Sequence, residues 1–425
     1  MHSRNPNLAD QIIGFLMPLG LFLEVGSPIL LATSPLAQEG FAFPLSLLAL
    51  PLAVILGISR RSPIKIYPSA ITFLAVAFTV YCLAMSSIYS TIYAPTAFLY
   101  GGQWCVVFLW MFYLSSIYEN DRFISFIKAF SIGAGFTIFY YFVSGALELF
   151  IYGGLQDGGR VSQNLILPGQ YQIAVSVPTV IAYGVIIINA CHFSRLYSSN
   201  KFVLIITNMA AAASVAFCAA REALLVIIVY CVFVLLAHGG VRRVLAFGLL
   251  LVLGFIAINP SMIADIFANS EFKLFAKLAS LDNSEKYLGN RDTMIKDVII
   301  IIKENPFFGT FFLPPNSEIL FINANAPSAH NMYVDAFLWS GLLGGSLFLI
   351  ICVLLLSLAM KRVLSPYSDY LGRHTGIALV VFLLVSNNLN VPMRQPAIAP
   401  MLAVIIYICA YWSSAERGDS RHAKG

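Results

Sequence analysis

The chain has 425 residues, 59% of them hydrophobic and 11% charged, with a net charge of +5 and a mean hydropathy of +0.83. Soluble globular proteins carry about 25% charged residues, so this composition excludes a soluble enzyme, a disordered chain and a disulfide-stapled secreted domain. It leaves an all-α polytopic membrane protein.

In chain order, about twelve apolar runs approach the ~20 residues a helix needs to cross a bilayer. They lie at 11–32, 41–58, 68–87, 97–117, 129–151, 171–190, 202–220, 222–237, 244–258, 332–358, 375–389 and 398–412. The first is too long for a signal-peptide core and has no clear A-x-A site, so it reads as a retained span. The seventh and eighth meet at Arg221-Glu222 and read as a tight helical hairpin. The chain thus divides into spans one to nine (1–258), a large loop (259–330), and spans ten to twelve with a short tail (331–425). The seven cysteines all fall in apolar runs without a CxxC pair, as buried small hydrophobes do.

Lys and Arg favour cytoplasmic loops. With the N-terminus inside, 16 of the 25 cations fall on the cytoplasmic side, and both termini lie there. The long segment 259–330 then faces outward. Its size points to function. It contains an amphipathic stretch with Ile263, Ile266, Phe267, Phe275 and Leu278. A second helix runs from Arg291 to about Glu304, ended by Asn305-Pro306, with an expected membrane-facing side of Ile295, Val298, Ile299 and Ile302.

Charge sorting shortens the list of chemical candidates. Outside the large loop, only Arg160, Arg221 and Arg394 remain on the outer side, and Arg291 opens the second loop helix. Arginine is costly near hydrocarbon, and several guanidiniums at one face can clamp a diphosphate by bidentate bonds. The competing account pairs Arg221 with Glu222, Arg160 with Asp157 and Arg291 with Asp292. Of six histidines only His330 faces outward, where an imidazole can accept a proton from a hydroxyl or simply bond a nearby carbonyl. Asp335 lies one helical turn after Asn331, suited to brace a cation, shape a pocket or pack. Glu24 and Glu148 sit near outer span ends, where snorkelling to water accounts for them. No nucleotide-binding glycine motif, HExxH or paired acidic metal site is apparent.

The segment Ser328-Ala-His-Asn-Met-Tyr-Val-Asp-Ala-Phe-Leu-Trp-Ser-Gly-Leu-Leu-Gly344 resembles the His-Asn…Gly-Leu-x-Gly signature of the O-antigen ligase and polymerase superfamily. Arg291 with Glu304-Asn-Pro-Phe-Phe-Gly309 is similar to that family's Arg…Asn-Pro…Gly segment. Arg221-Glu-Ala-Leu-Leu225 resembles its arginine-bearing hairpin. Two positions depart from the pattern: Ala220 precedes Arg221 where Ser is common, and Trp339-Ser340 stands where an acid is common.

The resemblance implies a GT-C-like, multi-pass enzyme of the bacterial inner membrane, active at the periplasmic face. It implies transfer of a glycan from undecaprenyl diphosphate to an acceptor hydroxyl, on lipid A-core for a ligase or on a repeat unit for an O-antigen or exopolysaccharide polymerase. Neither a cofactor nor a metal is implied, and nucleic acid is not a partner. Under it, His330, Arg221 and Arg291 are catalytic, and Arg160, Arg394, Asn331 and Asp335 contact the substrate or its diphosphate. The competing functions are a transporter or flippase of lipid-linked polysaccharide and a non-catalytic scaffold. Bulk placed outside after span nine, rather than in a central cytoplasmic loop, favours the enzyme.

Overall fold

The computed structural model describes residues 8–25, 41–60, 69–92, 96–117, 120–153, 155, 176–196, 200–218, 220, 222–236, 291–310, 312, 328–365, 368–392, 395 and 397–412. Among these the chain is helical apart from one two-stranded ribbon. The elements are α1 (Leu8–Leu16), β1 (Phe22–Val25), β2 (Phe41–Pro44), α2 (Leu45–Ser59), α3 (Ser69–Ile92), α4 (Thr96–Ser116) and α5 (Asn120–Tyr152). They continue with α6 (Ser176–Phe193), α7 (Lys201–Phe217), α8 (Glu222–Leu236), α9 (Arg291–Glu304), α10 (Met332–Leu364), α11 (Tyr370–Leu389) and α12 (Ala399–Tyr407, extended by a π-helical turn, Ile408–Trp412).

Five of these helices are long and apolar enough to cross a membrane: 70–91, 121–152, 176–193, 332–364 and 370–389. Shorter apolar helices lie at 45–59, 201–217, 222–236 and 399–410. The protein is therefore of the multi-pass membrane type. Lipid-facing apolar side chains such as Phe73, 72% exposed, and Phe150, 87% exposed, fit that environment. Most expected spans coincide with helices; α7 ends at Phe217 and α8 starts at Glu222, and the expected hairpin tip at Arg221 lies outside the described residues. The ninth expected span, 244–258, and the amphipathic stretch from Ile263 to Leu278 lie outside the described residues.

The first expected span is not one helix. Helix α1 stops at Leu16, and residues 22–25 pair antiparallel with 41–44, Phe22 opposite Pro44 and Val25 opposite Phe41. The cause is Pro18, which lacks an amide donor, followed by Gly20. Backbone groups left open by that early end are taken by α5 side chains. The Thr137 hydroxyl donates to Pro18 O (3.1 Å) and accepts from Gly20 N (3.2 Å), and Tyr141 OH donates to Gly20 O (3.0 Å).

The chain forms two compact units, 1–55 with 117–282 and 56–116 with 283–425. In the first, α5 packs against α1, α6 and α7. Small residues permit close backbone approach there: a side chain at Gly133 would collide with Phe15 O and one at Gly14 with Phe126 O. Asn189 and Asn208 join α6 to α7 by reciprocal amide bonds of 2.8 and 3.1 Å. Glu148 is fully buried on α5 rather than exposed to water as its position near a span end suggested. In the second unit, α3, α4 and α10 close around Phe78, Trp104, Phe108 and Phe348, with ring centroids 5.5 to 6.2 Å apart. Six cysteines are buried, Cys231 is exposed, and none is disulfide-bonded.

Helix α9 keeps its expected limits but not its expected face. Val298 and Ile301 are the buried pair, packed where α9 meets α10, whereas Ile299 is 41% exposed. The run Val298–Ile302 is apolar at every position, so composition alone does not select a face.

Replacing Thr137 with valine keeps its shape and removes the partner of Gly20 N and Pro18 O. Each orphaned buried backbone group costs about 1–3 kcal/mol. The unfolding midpoint in detergent should fall by about 4 °C or more, and Thr137→Ser, which keeps the hydroxyl, should lose much less.

Candidate active site

Helix α10 is 33 residues long but is broken at Gly341, whose φ of 62° and ψ of −165° leave the helical region. A break exposes carbonyls before it and amides after it, which no water satisfies at membrane depth. The turn following α9 supplies partners for both sides. Thr310 N donates to Leu338 O (2.7 Å) and Phe312 N to Trp339 O (3.2 Å). In return, Leu342 N donates to Pro306 O (2.7 Å) and Leu343 N to Phe307 O (3.4 Å). The remaining carbonyl, Ser340 O, accepts from Tyr81 OH on α3 at 2.7 Å.

Two glycines make this contact possible. Gly309 (φ 63°) and Gly341 (φ 62°) face each other backbone to backbone. A β-carbon on Gly309 would strike Leu338 O, and one on Gly341 would strike Phe307. The Asn-Pro-Phe-Phe-Gly and Gly-Leu-Leu-Gly segments, recognised in the sequence as separate signatures, are thus two halves of one joint. It fixes the end of the helix α9 to the N-terminal part of α10.

That N-terminal part, Met332–Ser340, begins at a tightly built turn. Asn331 is its N-cap, with Oδ1 accepting from Tyr333 N (3.0 Å) and Val334 N (3.1 Å). Asp335 is fully buried. Its carboxylate reaches back over the helix start, accepting from Ser328 Oγ (2.6 Å) and from Ala329 N (2.7 Å). Ser328 Oγ in turn accepts from His330 N at 3.0 Å. This strap holds His330 at φ 50°, a left-handed conformation uncommon for a residue with a β-carbon. The His330 side chain is exposed.

Beside this turn the end of α11 is irregular. Residues Phe382–Ser386 form a π-helical segment, a feature frequent at functional sites. Tyr333 OH donates to Leu383 O (2.6 Å) within it, and Asn331 Nδ2 donates to Asn388 Oδ1 (3.2 Å) just beyond it.

The structure therefore brings His330, Asn331 and Asp335 into one turn, with Asp335 engaged by Ser328 and Ala329 beneath the exposed imidazole. Arg291 is the first residue of α9, and its side chain lies outside the described residues, as do Arg160, Arg221 and Arg394. Among the described residues no three His, Cys, Asp or Glu side chains converge as metal ligands. Ser328 is the site residue whose role the sequence reading missed. Its signal was available as a hydroxyl two residues before His330 and seven before a helix-start acid. Tyr81 carried no such signal, because its partner lies 259 residues away.

A multi-pass helical membrane protein with a broken helix, whose N-terminal segment opens on a strapped histidine, is the class these features define. Residues 202–349 match the family model described as O-antigen ligase, so this part of the chain is a domain of that family. It is a family of membrane glycan-transfer enzymes, ligases and polymerases. The matched stretch contains α7, α8, α9 and the broken part of α10. No curated protein matches the chain.

Two outcomes test the joint and the strap. Gly341→Ala or Gly309→Ala forces an L-residue into the left-handed region, at about 1–2 kcal/mol, besides the collision. Each should lower the unfolding midpoint by several degrees, whereas Gly102→Ala, which meets open space, should not. Asp335→Leu removes the partner of Ser328 Oγ and Ala329 N. Amide hydrogen exchange at Ala329 and His330 should then accelerate by about tenfold or more, the equivalent of ~1.4 kcal/mol.

Proposed function

We propose that the protein transfers a glycan from undecaprenyl diphosphate to an acceptor hydroxyl at the periplasmic face of the bacterial inner membrane. The acceptor is lipid A-core if the enzyme is a ligase, or a lipid-linked repeat unit if it is a polymerase. The observation that carries this reading is the exposed His330, held at φ 50° by the Asp335–Ser328 strap inside the O-antigen ligase domain. The cytoplasmic weighting of Lys and Arg supports the outward placement of this turn and cytoplasmic positions for both termini.

In the reaction, His330 orients the acceptor hydroxyl and takes its proton as the oxygen attacks the anomeric carbon. A new glycosidic C–O bond forms, the C–O bond to the diphosphate breaks, and undecaprenyl diphosphate leaves with the bonding pair. Arg221 and Arg291 hold the diphosphate and offset the charge that grows on it, with Arg160 and Arg394 as further contacts. A rigid backbone at residue 330 suits this role, because a general base gains from fixed orientation toward its hydroxyl. Asn331 borders the same turn, and Asp335 sets its shape.

The test uses purified protein in detergent with an undecaprenyl-diphosphate glycan and candidate acceptors. Wild type should form product without added metal and in the presence of EDTA. His330→Ala, Arg291→Ala and Arg221→Ala should each lower turnover by about 100-fold or more, the scale of losing a general base or an electrostatic stabiliser. Wild-type turnover in both His330→Ala and Arg291→Ala would refute the assignment. Absence of product in detergent, with lipid-linked glycan movement in sealed vesicles, would identify a transporter instead.

A further inference from the structure

We infer that α9 and the turn after it, residues 305–309, lie in the edge of the bilayer rather than in water, with Ile299, Phe307 and Phe308 seated among lipid acyl chains. The partner is the membrane itself, and the inference stands apart from the glycan-transfer reading. It begins with an apolar surface wider than its packing partner. Successive residues of a helix are turned by about 100°. Over residues 295–304 this puts Ile301, Val298, Ile302, Ile295 and Ile299 in one unbroken apolar arc of about 160°. Only one end of the arc packs on α10, where Ile301 and Val298 are buried. Ile302 and Ile295 are half-buried, and Ile299 at the far edge is 41% exposed.

The polar residues take the other side of the helix. Lys303 borders the arc beside Ile299, followed by Lys296, Glu304 and Asp297, with Ile300 the one apolar residue among them. An apolar arc edged by lysine is the pattern of a helix lying in the plane of the interface. The apolar side enters the acyl layer, and the lysine stems follow it while their ammonium groups snorkel back to water and headgroup phosphates.

A second, independent feature is continuity with a surface that meets lipid. The turn exposes Phe307 and Phe308 side by side. Its backbone is bonded to Leu342 N and Leu343 N, and these two leucines are 51% and 49% exposed. Both belong to α10, which is long and apolar enough to cross a membrane and exposes Leu349, Ile350 and Val353 further along. The apolar surface of α9 and its turn therefore runs on into the exposed apolar surface of a span. Water over such a contiguous patch would forfeit the burial that lipid supplies. The same backbone bonds tie the turn to both sides of Gly341, so its seat in the bilayer also fixes the level of the segment that carries His330.

The test uses the full-length protein in vesicles of phosphatidylethanolamine and phosphatidylglycerol. Cys231→Ser removes the one exposed native thiol, the other six cysteines being buried. In that background Ile299→Cys, Phe307→Cys, Phe308→Cys and Lys296→Cys each carry a nitroxide label, one at a time. Collisions with oxygen, which concentrates in hydrocarbon, are compared with collisions with a water-soluble nickel chelate. The oxygen-to-nickel ratio at the Ile299, Phe307 and Phe308 positions should exceed that at Lys296 by at least about tenfold, because a polar chelate is costly to place in hydrocarbon. Equal ratios at Ile299, Phe307 and Lys296 would put α9 in water and overturn the inference. Low access to both reagents would reveal a protein cover, another segment or a second copy, and would overturn it as well. Wild-type protein supplies a check free of substitutions. In the same vesicles, a lipid with a photoreactive acyl chain should label residues 299–308, and labelling confined to the membrane-crossing helices would likewise overturn the seat.

Discussion

A peptide group at membrane depth has no water to fall back on, and the site depends on how that constraint is met at one point. Gly341 interrupts α10, opening carbonyls at Leu338, Trp339 and Ser340 and amides at Leu342 and Leu343. Each of these finds a partner in the turn after α9 or in Tyr81. A break of this kind would otherwise cost several kcal/mol per unmet group. Met by an inserted turn, it becomes a rigid corner. The segment Met332–Ser340 can then take a direction that a continuous helix would forbid, and it carries the histidine turn at its free end.

The corner and the strap divide the work of positioning. The corner sets where the short helical segment points, through backbone bonds alone. The strap sets the residue before its cap: the buried Asp335 carboxylate draws Ser328 and Ala329 back over the helix start, and His330 is left in a left-handed conformation with its ring exposed. An aspartate just inside a helix start also favours the positive end of the helix dipole, so the same charge stabilises the segment and shapes the turn. Rigidity is concentrated under the one side chain whose orientation the proposed chemistry needs.

The readable parts of the sequence were those with a local cause. Apolar runs of span length announced most of the helices, because composition alone decides burial in lipid. The limits of α9 were legible because Asn305-Pro306 cannot continue a helix. Its packed face was not, since Val298 to Ile302 are apolar at every position and only α10 decides between them. The first span was misjudged because a hydropathy window ignores the missing donor of Pro18, and the groups that rescue the early end sit on α5. The break at Gly341 was hidden for a similar reason: its partners lie some thirty residues upstream, and glycine alone does not mark a break. For the site, His330 followed from sorting charges by side of the membrane. The duty of Asp335 remained open because the sequence cannot say whether a helix-start acid looks outward to a ligand or back to its own turn.

The joint between the turn and α10 is made of peptide groups, and peptide groups do not read side chains. Phe307 and Phe308, 61% and 41% exposed, can therefore change without disturbing the bonds their backbones make, while Gly309 and Gly341 cannot. The side chains beside the joint are thus free to be rewritten while its backbone bonds stay. A scaffold of this design can exchange the exposed side chains next to the joint while the histidine turn stays in place, which lets the surface around the turn vary without moving the turn itself.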